Sequence, residues 1–587
     1  MIDKPENSAA RIPQTSFFTV LILSASLFFL GSCSVQTETF TPDPALAITP
    51  PPPEQPLSSA TPTQALIAPP FDTWLDPALP ESVQTALSKI SEFNLVPSKE
   101  GAKVQLTISG ENQAGSWTYL VAAPFYAQLK DIQLSDLQAF WTSGVFDPAN
   151  YDRLYLSEET SILFSQLWGE PSPDSVFITD PDLIPEAIWI YPRALAVIPF
   201  EELLPSYSII PVNGSDPLGS SYDDTSYPLS FPIYLEIIYP GSLEPIQIPT
   251  INNFDPAKLT SVALTGVTAL VRDTAAIMEE KGILYPGEQI KDILISADIA
   301  HINNEVPFAE DCPPPDPNLD ILSFCSDDTY IALLESVGAD IIELSGDHFA
   351  DKGPGAMLHS LELYEQNGYL TYGGGENLQA GLDPLLIEHN TNRLAFIGCN
   401  AKADDMYATA SETNPGASRC DFDWMAAEIQ RLSSQGYLVI ATMQHEEIDS
   451  FFPVALQLYD FHRLADAGAV IVSGSQAHHP QGFELSDTSF IHYGLGNLFF
   501  DQWYLASYNP EQHINKDKAM IDIHYFYDGS YLNTRLVYLQ FVDNAQPRPM
   551  TSKEETSFVA DLYQSSKWNE RWIYLYPAGY FTTTENQ

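Results

Sequence analysis

Residues 255–505 alternate between short apolar runs and amphipathic segments, and this alternation restricts the fold more than any other feature of the sequence. Helices are predicted at 327–337, 354–367, 421–435 and 454–467, because their apolar residues recur at helical spacing. Strands are predicted for the runs "SVALTGV", "DILISADIA", "ADIIELSG", "LTYGGG", "RLAFIGCN", "YLVIATMQ", "AVIVSGS" and "SFIHYGLGN". The runs "MIDIHYFYDG" and "TRLVYLQFVD" then predict a late hairpin. The alternation predicts an α/β domain whose sheet is covered by helices.

Polar residues that suit metal chemistry directly follow several of these predicted strands. The segments that contain them are "HINNEVPF", "GDHFADKG", "IATMQHEE", "VSGSQAHHPQ" and "HYGLGNLFFDQ". Sites in α/β sheets form beyond the carboxyl ends of the strands, so these segments are expected to converge on one edge. Imidazoles and carboxylates are the ligands of hydrolytic divalent-metal centres. The pattern therefore predicts a metal-assisted site.

The order of these five segments resembles the CapA family, the poly-γ-glutamate capsule biosynthesis proteins. The domain of that family is related to calcineurin-like metallophosphoesterases, and the resemblance lies within residues 255–545. It implies a four-layer αββα sandwich with a pocket for a divalent metal, which could be Mn, Zn, Fe or Mg. It also implies hydrolysis or transfer on a phosphorylated or γ-glutamyl substrate, either a small molecule or an anionic polymer.

Site residues are carried over only where this sequence matches the motifs of the family. The metal ligands that the resemblance implies are Glu305, Asp347, His348, His445 and His478. His348 and His445 are also the candidate catalytic residues, as general acid or base, because imidazole titrates near neutral pH. The residues expected to contact substrate are Asn304, Asp351, Gln476 and Asn497.

The sequence departs from the family at several of these positions. The family usually has an acid after the glycine that ends its first strand, whereas Val267 follows Gly266 here and cannot bind a metal. Gln476 replaces the first histidine of the G-x-H-P-H element, and Asp347 stands where the family usually has asparagine. Asp273 is an uncertain substitute for the missing acid. Because a two-metal centre needs several ligands, the alternatives are one metal or a pocket without catalytic activity.

Structural roles compete with these functional ones. His348 could pin its loop by hydrogen bonds, and Asp351 could cap the helix predicted at 354–367. His479, beside the predicted ligand His478, has no counterpart in the family motif and is expected to be a bystander. Structural roles are also expected for the three histidines that match no motif, which are His301, His389 and His462.

Residues 79–250 predict a second, smaller α/β domain. The runs "KVQLTIS" and "TYLVAAPF" are typical of strands, and "SDLQAFWTSG" predicts a helix with Ser135 as its N-cap. The order of these elements and the later "YPLSFPIYL" resemble part of the periplasmic phosphate-type solute-binding fold. This resemblance implies either ligand binding or a scaffold role for the domain.

The N-terminus resembles that of a bacterial lipoprotein. Lys4 and Arg11 precede "FFTVLILSASLFFLGSC", a basic segment followed by a short apolar run and small residues. This predicts a signal peptide at 1–32 and lipid attachment at Cys33, hence an exported protein held at a membrane surface. An ordinary signal peptide is the alternative. Residues 33–78, rich in Pro, Ser, Thr and Ala, predict a linker.

Net charge and cysteine content set further limits. The 587-residue chain has 77 acidic and 25 basic side chains, a surface that should repel nucleic acid. Besides Cys33 there are four cysteines, and an even number in an exported chain predicts disulfides. Pairing of neighbours in sequence, Cys312 with Cys325 and Cys399 with Cys420, is one of three connectivities.

Three functions remain open from the sequence. The first is a CapA-type enzyme that uses a metal, and the second is a non-catalytic envelope protein that binds polymer or a partner in the same pocket. The third is a lipid-anchored solute receptor that senses its ligand through residues 79–250. The remaining segment, 546–587, is predicted to be a C-terminal tail.

Overall fold

In the part of the chain that the structure describes, the strands form three large sheets and one two-stranded ribbon. The computed structural model describes residues 70–144, 151–191, 193–238, 250–318, 322–402, 408–503, 509 and 515–568. The predicted signal peptide, Cys33 and most of the predicted linker lie outside the described residues.

The first sheet is mixed and lies between residues 71 and 237. Its strands are β1 (Phe71–Leu75), β2 (Phe93–Leu95), β3 (Val104–Thr107), β4 (Gln113–Pro124), β5 (Arg153–Leu156), β6 (Val176–Ile178), β7 (Ala194–Pro199), β8 (Tyr207–Ile210) and β9 (Ser230–Ile237). Its helices are α1 (Glu81–Ser88), α2 (Leu134–Ser143), α3 (Glu158–Trp168) and α4 (Ile184–Ile190). The order across the sheet is β2-β1-β3-β9-β4-β7-β5-β6, with β8 beside β4.

Two details of the predicted first domain are corrected by the structure. Strand β1 pairs in parallel with β3, so Phe71–Leu75, inside the segment predicted as linker, belongs to the first sheet. Helix α2 begins at Leu134, which places Ser135 inside its first turn, and Gln133 occupies the N-cap position. Helix α3 does have a serine cap, because Ser157 accepts a hydrogen bond from the backbone N–H of Thr160.

The remaining chain forms a second and a third large sheet. The strands are β10 (Leu259–Thr265), β11 (Val267–Thr268), β12 (Ile299–Asn304), β13 (Ile341–Glu343), β14 (Leu370–Tyr372), β15 (Gly374–Gly375), β16 (Leu385–His389), β17 (Asn392–Asn400), β18 (Gly416–Ala417), β19 (Leu438–Gln444), β20 (Ala469–Ser475), β21 (Phe483–Leu485), β22 (Phe490–His492), β23 (Asn497–Phe499), β24 (Lys518–Tyr527), β25 (Ser530–Phe541), β26 (Pro547–Pro549) and β27 (Lys567–Trp568). The helices are α5 (Arg272–Lys281), α6 (Lys291–Ile295), α7 (Ile331–Ser336), α8 (Gly353–Gln366), α9 (Leu378–Leu382), α10 (Phe422–Ser434), α11 (Ala455–Asp466) and α12 (Ser552–Ser565).

These two sheets pack face to face. The second sheet has the order β14-β13-β12-β10-β24-β25-β26, and the third has β16-β17-β19-β20-β22-β21-β27. Val262 and Leu264 of β10 share a buried apolar cluster with Phe396 of β17 and Ile440 of β19, so this cluster lies between the sheets. Ala263, between the two β10 residues, points the other way, as alternation along a strand requires.

Helices cover the outer face of each of these two sheets. On the second sheet, Met278 of α5, Leu333 of α7 and Met357 of α8 belong to the cluster that contains Ala263. On the third sheet, Ile429 of α10 and Leu464 of α11 pack with the outward residues of β17 and β19. The order helix, sheet, sheet, helix confirms the predicted α/β class and its αββα sandwich.

The predicted strand "DILISADIA" is only half correct. Residues Lys291–Ile295 form α6, and the strand begins at Ile299. Between them Asp298 accepts hydrogen bonds from the N–H and the hydroxyl of Ser261, which fixes the turn into β12. A short apolar run does not distinguish a buried strand from one turn of helix, and tertiary contacts decide here.

The C-terminal segment is more ordered than predicted. Strand β26 and helix α12 fall within the predicted tail, and Phe558 and Leu562 of α12 are buried in the cluster between the sheets. The same helix contacts the connection between β4 and α2, because Glu555 pairs with Lys130 at 2.6 Å. Residues 569–587 lie outside the described residues.

The structure contains both disulfides of the sequence-near pairing. Cys312 is bonded to Cys325, and Cys399 is bonded to Cys420. The second bond joins Cys399, near the end of β17, to Cys420, which lies two residues before the start of α10. In the part of the chain that the structure describes, no helix combines the length and the apolar content needed to span a bilayer.

Glycine is required where the loop after β13 meets the end of β12. A Cβ on Gly346 would lie 2.6 Å from both the Cα and the carbonyl oxygen of Glu305. Backbone atoms cannot rotate away as a side-chain tip can, so the two strand ends would have to separate.

We therefore expect Gly346→Ala to destabilise the protein by about 1–3 kcal/mol, the usual cost of overpacking. Gly355→Ala in α8 is the matched control, because its Cβ would meet no atom within 4 Å and alanine favours helix. Urea unfolding of both variants measures the difference. Equal stability of the two variants would contradict the close approach.

A buried histidine between the sheets should make the fold sensitive to acid. His524 on β24 is fully buried, its Nδ1 lies 2.8 Å from the Thr534 hydroxyl, and its ring is 5.7 Å from that of Phe490. Burial lowers its pKa to about 4, despite the opposing charge of Asp522. Since the unfolded chain protonates near pH 6.5, stability is lost as pH falls from 6.5 through 4.

We expect His524→Leu to reduce this loss. Between pH 7 and 4.5 the variant should lose roughly 2 kcal/mol less unfolding free energy than the wild type, as the two pKa values require. Chemical denaturation of both proteins at the two pH values makes the comparison. Identical losses would show that His524 does not carry this part of the acid sensitivity.

Candidate metal centre

Two parallel neighbours in the second sheet bring three predicted ligands together. Glu305 follows β12, and Asp347 and His348 lie in the loop after β13, which pairs in parallel with β12. One ligand atom from each of the three residues lies within 4.8 Å of the others. The carboxyl ends of adjacent strands therefore converge, as expected for a site in an α/β sheet.

Each of the two carboxylates has one oxygen that accepts a hydrogen bond from an N–H group and one that does not, within the described residues. Glu305 Oε1 accepts a hydrogen bond from Gln444 Nε2 at 3.3 Å, and Asp347 Oδ2 pairs with the ammonium of Lys402. Within the described residues, Glu305 Oε2 and Asp347 Oδ1 are buried and accept no hydrogen bond from an N–H or hydroxyl group. Two such oxygens can be satisfied by sharing a proton or by binding a cation.

His348 is oriented by a carboxylate of its own loop. Its Nδ1 lies 2.8 Å from Asp351 Oδ2, which also accepts the backbone N–H of Phe324 at 2.8 Å. The Phe324 ring packs edge-on against the imidazole at 4.8 Å. These contacts fix the ring and leave Nε2 as the nitrogen for a ligand, the pattern by which carboxylates orient metal-binding histidines.

The charges of the cluster shift every pKa in it. Burial raises the pKa of Glu305 well above its usual value, and the charge of Asp347 raises it further. Burial would also raise the pKa of Asp347, but the hydrogen bond from Glu305 and the charges of His348 and Lys402 lower it to about 2. Burial would lower the pKa of His348, yet Asp351 and the two acids raise it to about 9. The pair of acids thus holds at most one proton at neutral pH.

Two further predicted ligands lie outside this three-residue group. His445, at the end of β19, has its Nε2 2.9 Å from Asp460 Oδ2 of α11, and its buried Nδ1 has no hydrogen-bond partner in the described residues. His478 has its Nδ1 2.8 Å from Asn497 Oδ1. Burial lowers the pKa of His478 to about 4, so its imidazole is neutral at pH 7.

Gln476 belongs to a chain of amides rather than to the ligand group. Its Oε1 accepts a hydrogen bond from Gln444 Nε2, and Gln444 Oε1 accepts from Asn400 Nδ2 at 2.6 Å. Gln476 and His478 both have positive φ, at 79° and 49°. Backbone strain of this kind clusters at functional sites, so the loop after β20 is held in an unfavourable conformation by its surroundings.

Three of the predicted substrate contacts, Asn304, Asp351 and Asn497, have protein partners of different kinds in the structure. Asn304 Nδ2 donates to the Val306 carbonyl at 2.9 Å and to the Tyr364 hydroxyl at 2.6 Å, so this amide is anchored in the core. Asp351 and Asn497 orient His348 and His478, respectively. Asp351 and Asn497 thus contact predicted ligand residues, whereas Asn304 does not.

The departures from the family motif are visible in the structure. Val267 is fully buried in an apolar cluster at the position of the missing acid. Asp273, in the first turn of α5, accepts a hydrogen bond from Asn544 Nδ2 and does not join the Glu305 group. His479 Nδ1 lies 2.5 Å from the Pro480 carbonyl, and its ring packs on Phe451.

The three histidines assigned structural roles also have protein partners. His301 Nε2 lies 2.9 Å from the Tyr372 hydroxyl, His389 Nδ1 lies 3.0 Å from the Thr260 hydroxyl, and His462 Nε2 lies 2.7 Å from Glu484 Oε2.

Sequence reasoning missed Lys402, Gln444 and Asp460. Lys402 and Gln444 lie just after β17 and at the last position of β19, so the rule that found the other residues applies to them as well. Asp460 sits in the middle of α11, where the sequence carries no signal that it faces His445.

A divalent cation fits the donor set of this cluster. Two carboxylate oxygens that have no N–H or hydroxyl donor among the described residues and one oriented imidazole nitrogen are suitable ligands for Mn²⁺, Zn²⁺ or Fe²⁺. The cation would also compensate the burial of Glu305 and the charge of Asp347, which together raise the pKa of Glu305.

Comparison with known proteins agrees with the motif assignment. Residues 261–502 match the family model of the bacterial capsule synthesis protein PGA_cap. The chain is similar to the capsule biosynthesis protein CapA of Bacillus anthracis, with 23% identity over 328 residues, covering 54% of this chain and 76% of that protein. It is also similar to the PGA biosynthesis protein CapA of Bacillus subtilis, with 19% identity over 306 residues, 52% of this chain and 76% of that protein.

Among solved structures, this chain is similar to an ABC-type phosphate transport receptor from Vibrio cholerae. The similarity covers 29% of this chain and 88% of that receptor. The sequence identity is 12% and the TM-score is 0.23. The family match, by contrast, covers all five polar segments of the site. Residues 261–502, which contain the candidate metal centre, are thus similar to the bacterial capsule synthesis family.

Proposed function

We propose that this protein is a metal-dependent hydrolase or transferase of the cell envelope that acts in the synthesis of a capsule polymer. The observation that carries the proposal is the Glu305–Asp347–His348 cluster, with two buried carboxylate oxygens that accept no hydrogen bond from an N–H or hydroxyl group of the described residues. A purely structural acid in a protein interior is normally paired or hydrogen-bonded. The similarity to two CapA proteins supports the polymer as context.

The substrate class follows from the family and the chemistry of the site. A phosphoester or a γ-glutamyl bond offers a phosphoryl or carbonyl oxygen, and a divalent ion supplies the Lewis acid that polarises it. Glu305, Asp347 and His348 would hold that ion. Lipid attachment at Cys33 would place the domain at the membrane surface, where such a polymer is made.

His445 would move the proton in this reaction. Asp460 accepts the hydrogen of His445 Nε2, which leaves Nδ1 with the lone pair of a base. Nδ1 can then take a proton from water or from an attacking group of the substrate and return it to the leaving group. His348 has a different task, because Asp351 on its Nδ1 directs Nε2 toward the acids.

A second function, polymer binding without catalysis, is supported by Val267, Gln476 and Lys402. Val267 cannot bind a metal, Gln476 is engaged with Gln444, and Lys402 already places a cation on Asp347. In that case the pocket would recognise its ligand while the protein recruits another envelope component. Metal binding and turnover distinguish the two functions.

We expect the protein to bind a divalent ion through the cluster. Glu305→Gln, which removes a charged ligand oxygen, should weaken Mn²⁺ or Zn²⁺ binding by more than about 100-fold, since loss of an outer partner alone costs about 10–100-fold. Titration calorimetry with each metal, and thermal unfolding with and without chelator, report the binding. The wild type should lose thermal stability in chelator and the variant should not.

Glu446→Gln is the matched control for this measurement. Glu446 follows the same strand end as His445, is half-buried and does not belong to the ligand group. Its loss should leave metal affinity within about twofold of wild type, as for a surface change. If neither wild type nor control binds a metal, the enzyme proposal is refuted.

We expect His445→Ala to abolish most turnover while metal binding persists. Removal of a general base costs about 10²–10⁴-fold in rate. Hydrolysis of a generic phosphodiester and of poly-γ-glutamate, each with added Mn²⁺, measures it. Metal-loaded wild type without activity on either polymer or ester, or His445→Ala with full activity, would favour the binding function instead.

A further inference from the structure

Lys402 is the one residue of the site that neither the motif nor the metal chemistry calls for. It follows β17 on the third sheet, and its ammonium pairs with Asp347 Oδ2 of the second sheet. The lysine side chain is 35% exposed, whereas the Asp347 side chain is 2% exposed. The lysine therefore reaches from the rim of the pocket to a buried carboxylate.

The position of this ammonium is fixed by the backbone around it. Asn400 Oδ1 accepts the backbone N–H of Lys402 at 3.0 Å, and Asn400 Nδ2 donates to the carbonyl of Ser345 at 2.8 Å. One side chain thus ties the lysine loop to the loop that carries Asp347, two residues after Ser345. The ion pair is part of the framework of the site and not a chance surface contact.

Asp347 consequently divides its two oxygens between two directions. Oδ2 faces the ammonium, while Oδ1 is buried and has no N–H or hydroxyl donor among the described residues. A carboxylate placed in this way can bridge two cations. We propose that the Lys402 ammonium is the second of these cations, so that the site binds a single divalent ion, on Asp347 Oδ1, Glu305 and His348.

The charges around the acids agree with one ion and not with two. Glu305 and Asp347 contribute two negative charges when ionised, and Lys402 already offsets one of them. A second dication next to the ammonium would meet repulsion at close range in a low-dielectric pocket. It would also have to displace the lysine from the only oxygen of Asp347 that is not needed for the first ion.

The ligands for a second ion are also engaged or missing. Val267 is apolar, and the Gln476 amide is bonded to Gln444. His445 and His478 lie outside the group of residues that brings its ligand atoms together. Lys402 and these four positions therefore agree with a centre that binds one metal ion.

The inference rests on the proposed function, because it presumes that the cluster binds a metal. The experiment titrates the full chain, freed of metal by chelation, with Mn²⁺ by calorimetry and counts bound metal by elemental analysis. The variants are Lys402→Met, which removes the charge, and Lys402→Arg, which keeps it. Lys352→Met is the matched control, since Lys352 contacts the Ser323 carbonyl and no carboxylate of the cluster.

We expect one Mn²⁺ per chain for the wild type, Lys402→Arg and Lys352→Met, with similar affinities. Lys402→Met should bind Mn²⁺ about tenfold more tightly or better, because the competing positive charge is gone. Circular dichroism and urea unfolding verify that each variant is folded. If Lys402→Met does not fold, electron paramagnetic resonance of the wild type with Mn²⁺ tests the proposal by itself. We expect the uncoupled signal of a single manganese ion.

The other outcomes separate the two proposals. Two ions per wild-type chain, a coupled manganese pair, or unchanged affinity in Lys402→Met would overturn the role of Lys402 while the metal-dependent function stands. An ion that binds Lys402→Met but not the wild type would also overturn it, because the lysine would then replace the only metal. Absence of metal from every variant would instead refute the proposed function.

Discussion

The site depends on two carboxylates, Glu305 and Asp347, buried side by side at the ends of adjacent parallel strands. Two buried like charges are costly unless cations or protons compensate them. The neighbours of the pair follow from this requirement: His348, whose pKa is raised to about 9, lies on one side, and Lys402 pairs with Asp347. Gly346 permits the approach itself, because any larger residue would collide with the backbone of Glu305.

The same requirement explains why the site spans the two sheets of the sandwich. The acids and His348 come from the second sheet, while Lys402, Gln444 and Gln476 follow or end strands of the third. Hydrogen bonds from Asn400 through Gln444 to Glu305 cross from one sheet to the other. Packing of the two sheets therefore sets the geometry of the charged cluster, and the apolar layer between them determines how precisely the acids face their cations.

Much of this arrangement could be predicted from sequence, and the reasons are local. Strand ends such as those of β12 and β13 are marked by apolar runs that stop at polar residues, so Glu305, Asp347 and His348 could be placed on one edge. Contacts between segments that are distant in sequence cannot be recognised from such a local pattern. Asp460 faces His445 only because α11 packs on the third sheet, and α6 became a helix although its apolar run suited a strand equally well.

The altered motif positions lie beside retained acids. Val267 and Gln476 each replace a ligand of the family motif. Glu305 Oε2 and Asp347 Oδ1 are nevertheless buried without an N–H or hydroxyl donor among the described residues, so a shared proton or a cation has to compensate their desolvation. An aspartate also stands where the family usually has asparagine. Lys402 pairs with this additional negative charge. Relative to the family motif, two ligand positions are therefore lost and one ion pair is gained, while the acids that would hold one ion are retained.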